Sequence, residues 1–188
     1  ASGDAFDRSR SAVEVGPEDG LRPVTQHSYV GGPYKGGGND NEWGQSYSEV
    51  LTRIMAADMA AVSDSYDRAL ISEYPGGVTG HGCGAVDRFW MALRASFPDA
   101  VFTIEHVMGR DDPHMPPRAA LRWSLSGSHS GWGMFGPPTG AEVYVMGISH
   151  AEFGSLGVAA PRIRLEHTLT DETAIWKQIH LHTGLHDD

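Results

Sequence analysis

The 188-residue chain has the length of one domain. Its 40% hydrophobic content, with 5 Trp, 6 Tyr and 6 Phe, is enough to bury a sizeable core and excludes wholesale disorder. With 14 Lys+Arg against 24 Asp+Glu the net charge is −10, a surface that repels phosphate backbones and anionic lipid.

No nucleic-acid or membrane partner is therefore expected, and no apolar run approaches the roughly 20 residues that span a bilayer. A single cysteine, Cys83, excludes an intrachain disulfide and a cysteine-based zinc site. No basic segment followed by an apolar one opens the chain; processing of a leader stays open, and cytoplasm is the default location.

Residues 1–41 read as a Gly/Pro-rich arm, broken by Gly16, Pro17, Gly20, Pro23 and the run from Gly31 to Gly38. The cluster Tyr29–Gly38 invites a phosphate-loop reading, but it lacks the Gly-Lys-Ser/Thr ending and no strand pattern precedes it. An extended linker is the better reading. Its Leu21, Val24, Tyr29, Val30 and Tyr34, with Trp43 beyond, sit among few charges and suit docking into a groove of this chain or of a twin.

The folded part, residues 42–188, opens with a helix. Ser46 and Glu49 have the spacing of a capping box, and Tyr47, Val50, Leu51, Ile54, Met55, Met59 and Val62 fall on one helical stripe. Ala69–Tyr74 suits a short strand ending at the Pro75-Gly76-Gly77 turn. Val86, Phe89, Trp90, Leu93 and Phe97 predict a second helix, which Pro98 stops.

Beyond Pro98 the period changes from 3.6 to 2. Phe102, Ile104 and His106 alternate with Thr103, Glu105 and Val107, and Ala119, Leu121, Trp123 and Leu125 repeat the pattern. Val143–Phe153 and Ile163–Leu169 supply two more strands. A cap at Asp171 starts a closing helix with Ile175, Trp176 and Ile179, ended by Gly184. Helices first and strands afterwards indicate an α+β fold, with helices packed on one face of a curved antiparallel sheet.

The strand half carries a resemblance. Leu121–Gly131 (LRWSLSGSHSG), Phe135–Gly140 (FGPPTG) and Val143–His150 (VYVMGISH) are similar to the SnoaL-like polyketide cyclase family. Phe89–Pro98 resembles that family's helix before its first long strand. Glu166-His167 stands where Glu-Trp is usual, and Trp176-Lys177-Gln178 lies near the usual Arg-Gln ending. The resemblance covers Tyr66 to Ile179.

It implies a cone of the nuclear-transport-factor-2-like type: a bent sheet and N-terminal helices on its concave side, enclosing one largely apolar cavity. It also implies acid/base chemistry without a cofactor, no metal, a small hydrophobic ligand, and pairing of two copies through the open sheet face into a homodimer. In the family's cyclases an Asp on the last strand serves as acid/base; Thr168 stands there, and Ser149 replaces an assisting His.

The neighbours offer substitutes. Glu166, His150 and His167, with Glu152 nearby, come from two strands that the family pairs, and a buried Glu beside an imidazole makes a usable acid/base pair. Strand alternation limits this, because it sends one of each adjacent pair outward. The parity read from the sequence puts Arg164, Glu166 and Thr168 on one face and Ile163, Leu165, His167 and Leu169 on the other.

Tyr74, Trp90 and Trp123 read as core aromatics that also wall the cavity. His81, just before the second helix, reads as a cavity-mouth residue or a plain loop His. His106 reads as core or cavity lining, and His129, in Gly127–Gly131, as a structural hydrogen-bonder. That stretch is no nucleophile elbow, since Gly-x-Ser-x-Gly needs the Ser in the middle. His180, His182 and His186 could chelate a metal, but a chain end supplies few supporting partners.

The expectation is an acid/base enzyme of cyclase, isomerase or hydratase/dehydratase type acting on a small hydrophobic carbonyl or cyclic compound. Glu166 would be assisted by His150 or His167. The rival is a non-catalytic ligand-binding or dimerisation module of the same fold, which the Thr168 substitution favours.

Overall fold

The computed structural model describes residues 41–58, 60–154 and 160–184. Residues 1–40 of the N-terminal arm and His186 lie outside them. Helix α1 spans Glu42–Met55 and α2 Ala61–Ser65; strands β1 (Tyr66–Tyr74) and β2 (Val78–His81) follow, then α3 (Cys83–Ser96). Four long strands come next: β3 (Val101–Arg110), β4 (Arg118–Ser128), β5 (Glu142–Gly154) and β6 (Arg162–Thr170), before α4 (Glu172–Thr183). They form one six-stranded sheet in the order β2-β1-β6-β5-β4-β3. The α+β architecture is the expected one. The sheet is antiparallel except where β1 runs parallel to β6.

The first helix begins a turn earlier than the Ser46 box suggests. Asn41 is its cap, its Oδ1 accepting from the Trp43 and Gly44 N–H groups at 3.1 and 3.2 Å. Packing explains the shift. Gly44 is pressed onto β3, and a Cβ there would lie 2.6 Å from Val107 Cγ1, so the close approach of this first turn to the strand depends on residue 44 having no side chain. The stripe of Tyr47, Val50, Leu51 and Ile54 is buried as expected, while Met59 lies outside the described residues.

Register breaks bend the sheet between Ile104 and His106 on β3 and between Glu152 and Phe153 on β5. Each break also changes which residues share a face. On β3, Ile104 pairs with buried Trp123, but His106 pairs with exposed Arg122 and Val107 with buried Leu121. On β6, Ile163 is buried on the same side as Glu166 and Thr168, against the simple alternation expected from the sequence.

Helix α1 lies against β3 and β4, α3 against β1 and β2, and α4 against β5. Asp171 caps α4 by accepting from the Ala174 N–H at 2.9 Å, and Gly184, with φ of 72°, ends it. The core between sheet and helices is built from Tyr47, Tyr66, Trp90, Trp123, Leu121 and their neighbours. Among the described residues no helix is long and apolar enough to cross a membrane.

Candidate functional site

Glu166 lies at the centre of the inner face of β6 with no exposed surface. Three phenols converge on it. Tyr47 from α1 and Tyr66 from the start of β1 donate to Oε1 at 2.9 and 2.6 Å, and Tyr74 from the end of β1 donates to Oε2 at 2.8 Å. Tyr74 alone among these reaches toward the surface, 6% exposed, with its ring stacked on Phe89 at a centroid distance of 4.0 Å.

Burial pushes the Glu166 carboxyl above its usual range, and the hydrogen bonds of Tyr66, Tyr74 and Tyr47 oppose that shift without cancelling it. The phenols move the other way from ionisation. Burial, then the Glu166 charge, raises Tyr47, Tyr66 and Tyr74 well above the ordinary phenol value, so all three remain donors. The result is a carboxyl group able to hold or release a proton in a water-poor setting.

A hydroxyl chain borders this cluster. Trp123 Nε1 donates to Ser149 Oγ at 2.9 Å, and Ser149 and Thr168 share a hydrogen bond of 2.8 Å. Both hydroxyl residues are buried on the inner face of β5 and β6, and Ser149 also acts on the Tyr47 phenol.

The structure separates Glu166 from its expected imidazole partners. His150 and His167 are paired with each other across β5 and β6 on the outer face, their rings 6.0 Å apart. His167 Nε2 lies 3.3 Å from Glu73 Oε2, and burial lowers the His150 pKa. Alternation decides this, because each histidine neighbours an inward residue: Ser149 beside His150, Glu166 beside His167.

The remaining candidates divide. Tyr74, Trp90, Trp123, Ser149 and Thr168 surround Glu166 on the inner side. His81 is exposed at the end of β2, in register with exposed Ile71, and His106 lies on the Arg122 face of β3, so neither is placed with Glu166. His129 is buried in a separate cluster. Its Nδ1 meets Thr139 Oγ1 at 3.0 Å, its ring packs against Phe97 and Phe135, and burial lowers its pKa.

Two residues of the cluster, Tyr47 and Tyr66, are absent from the sequence-based candidates. Tyr47 reads as core because it lies on an apolar helical stripe. A buried tyrosine hydroxyl needs a partner, however, and that requirement is the signal that points to Glu166.

A groove of about 690 Å³ opens elsewhere, beside Ile71, Met115, Glu152, Arg164 and Leu165. It holds none of the inner-face residues just described.

A family model described as a SnoaL-like domain matches residues 47–157. The fold is similar to that of IdmH from Streptomyces antibioticus, a proposed polyketide cyclase, with TM-score 0.59 and 18% identity over 74% of this chain and 99% of that one. A proposed SnoaL-like polyketide cyclase from Jannaschia sp. CCS1 gives 0.59 and 17%, over 76% and 97%. AclR from Streptomyces galilaeus, a proposed hydroxylase, gives 0.58 and 14%, over 73% and 94%. At these identities the likeness is one of fold. No curated protein matches the chain in sequence.

Proposed function

The chain belongs to the SnoaL-like domain family, and from that premise we propose that it is a cofactor-independent acid/base enzyme of cyclase type. Its substrate would be a small hydrophobic carbonyl or cyclic compound bound on the inner face of the sheet. The observation that carries this reading is the buried Glu166, raised in pKa and held by three phenols among aromatic walls. Such a group takes a proton from carbon beside a carbonyl and returns it. Tyr47, Tyr66 and Tyr74 fix its orientation, and the Tyr74–Phe89 pair marks the side nearest solvent.

Exchange of the α-hydrogens of 1-tetralone for deuterium, followed by NMR in D2O, tests this with a simple aryl ketone standing in for the natural substrate. The protein is expected to speed exchange, and Glu166→Gln to slow the catalysed rate by about 100-fold or more. Equal rates for the two proteins would overturn the assignment. A ligand-binding module is the second reading, favoured by Thr168 and Ser149, whose hydroxyls hold no proton that titrates near neutrality. A ligand that copurifies with the protein and is returned unchanged by it would support that reading.

Pairing of two copies through the outer sheet face belongs to the same proposal. Met146, Ile148 and Leu169 stand there 53%, 56% and 66% exposed, with Ile148 and Leu169 directly in register. An apolar row of this kind favours association, and a two-fold pair would set it against itself. Light scattering at micromolar concentration is expected to give a dimer for the full chain and a monomer for Ile148→Lys. A monomeric unmodified chain would end the idea.

A further inference from the structure

The carboxylate of Glu166 offers about four acceptor positions on its two oxygens. Three are occupied by phenols. Each phenol has a single proton and spends it on Glu166, so the tyrosines have none left for a ligand. A ligand oxygen beside Glu166 must find its donors elsewhere.

Two such donors exist. Trp90 Nε1 and Ser72 Oγ are both buried, and among the described residues neither makes a hydrogen bond of ordinary length, although the indole faces Glu166 and the hydroxyl faces the Tyr74 phenol from farther off. A buried donor without a close partner is unfavourable, so two beside one carboxyl group call for an explanation. Trp90 is held by Phe89 and Trp123 at ring distances of 5.1 and 5.6 Å, and its indole N–H is near enough to Glu166 to favour the carboxylate form. Ser72 is the direct neighbour of Glu166 in the parallel β1–β6 register and projects from the same face. Its hydroxyl acts on the Tyr74 phenol, and it has room because residue 80 is glycine: a Cβ there would lie 2.7 Å from Ser72 Oγ.

We propose that Trp90 Nε1 and Ser72 Oγ receive the carbonyl oxygen of the substrate, the role that an imidazole cannot fill on this face. The inference rests on the reading of Glu166 as the base. Glu166 takes the proton from the carbon next to the carbonyl. The C–H electron pair becomes the enolate C=C bond, and the carbonyl π pair moves to oxygen, where the two donors hold the charge. Return of the proton from Glu166 to carbon restores the carboxylate.

The test compares 1-tetralone with tetralin, which has the same body without the oxygen. The ¹H–¹⁵N spectrum of the 5 indole groups, with Trp90 assigned by Trp90→Phe, reports contact directly. Tetralone is expected to shift the Trp90 signal and tetralin to leave it in place. Trp90→Phe and Ser72→Ala should each weaken tetralone binding at least fivefold while tetralin affinity is unchanged. Tetralone exchange that depends on Glu166 but is accompanied by an unmoved Trp90 signal, or by unchanged affinity in Ser72→Ala, would overturn this inference alone. Exchange that ignores Glu166→Gln would overturn the function on which it rests.

Discussion

Glu166→Ala is expected to lower the stability of the fold by about 3–6 kcal/mol, whereas Glu166→Gln costs about 1 kcal/mol. The alanine variant leaves three phenol hydroxyls buried without the acceptor on which they converge. Glutamine keeps the shape. Its amide oxygen accepts from Tyr47 and Tyr66, and its NH2 group donates to the Tyr74 oxygen. Urea denaturation measures both, and equal losses for the two variants would show that the phenols do not depend on this acceptor.

The same pair of proteins carries a pH signature. Burial holds the Glu166 proton more tightly in the folded chain than in the unfolded one, whose ordinary value is 4.5. Below that value the stabilising contribution is fully present. As pH rises from 4.5 through the raised folded value, the folded chain binds more protons than the unfolded chain and stability is lost. The stability of the unmodified protein relative to Glu166→Gln should therefore fall with pH across this window. A difference that grows with pH would mean the carboxyl is stabilised in its charged form.

Trp123→Ala is expected to cost about 3–5 kcal/mol, the range for emptying a large aromatic site in a core. Trp123 has no exposed surface, packs against Trp90 and Phe102, and supplies the N–H that anchors Ser149. Gly147 on β5 is its complement, since a Cβ at that position would overlap the indole ring. Gly147→Ala alone should cost about 1–3 kcal/mol by overpacking. In the double variant the new methyl group occupies space that the indole vacated. The two losses should then fall short of additive by about 1 kcal/mol or more, and strict additivity would refute the interlock.

Much of the scaffold is visible in residue patterns, because periodicity is a local property. The stripe from Tyr47 to Ile54, the α3 stripe ending before Pro98, and the long strands at 143–153 and 163–169 all follow from spacing alone. The cap at Asp171 and the stop at Gly184 do so as well. Strand β2 does not: Val-Thr-Gly-His is too short to show alternation, and it forms because β1 offers it an antiparallel edge.

The candidate site was legible only in part. Glu166 is marked in the sequence by its neighbours and by the resemblance, as are Tyr74, Trp90 and Trp123. The hydrogen bonds that tie its partners to it are not marked, and Tyr47 and Tyr66 are not marked at all. Tyr47, Tyr66 and Tyr74 lie 119, 100 and 92 residues from Glu166, and no local pattern links a phenol on a helix to a carboxyl on the last strand. His150 and His167 look like partners because they are adjacent in sequence to inward residues, and adjacency along a strand means opposite faces.

What the sequence determined by itself is the α+β class, the order and period of its elements, and a carboxyl group on the last strand. Tertiary structure alone decided the faces: a register break on β3 turned His106 outward, and the β5–β6 pairing set both histidines away from Glu166. The reason is physical. Alternation assigns a side chain to a face only relative to its neighbours, and one bulge or one new strand pairing reverses the assignment for every residue beyond it.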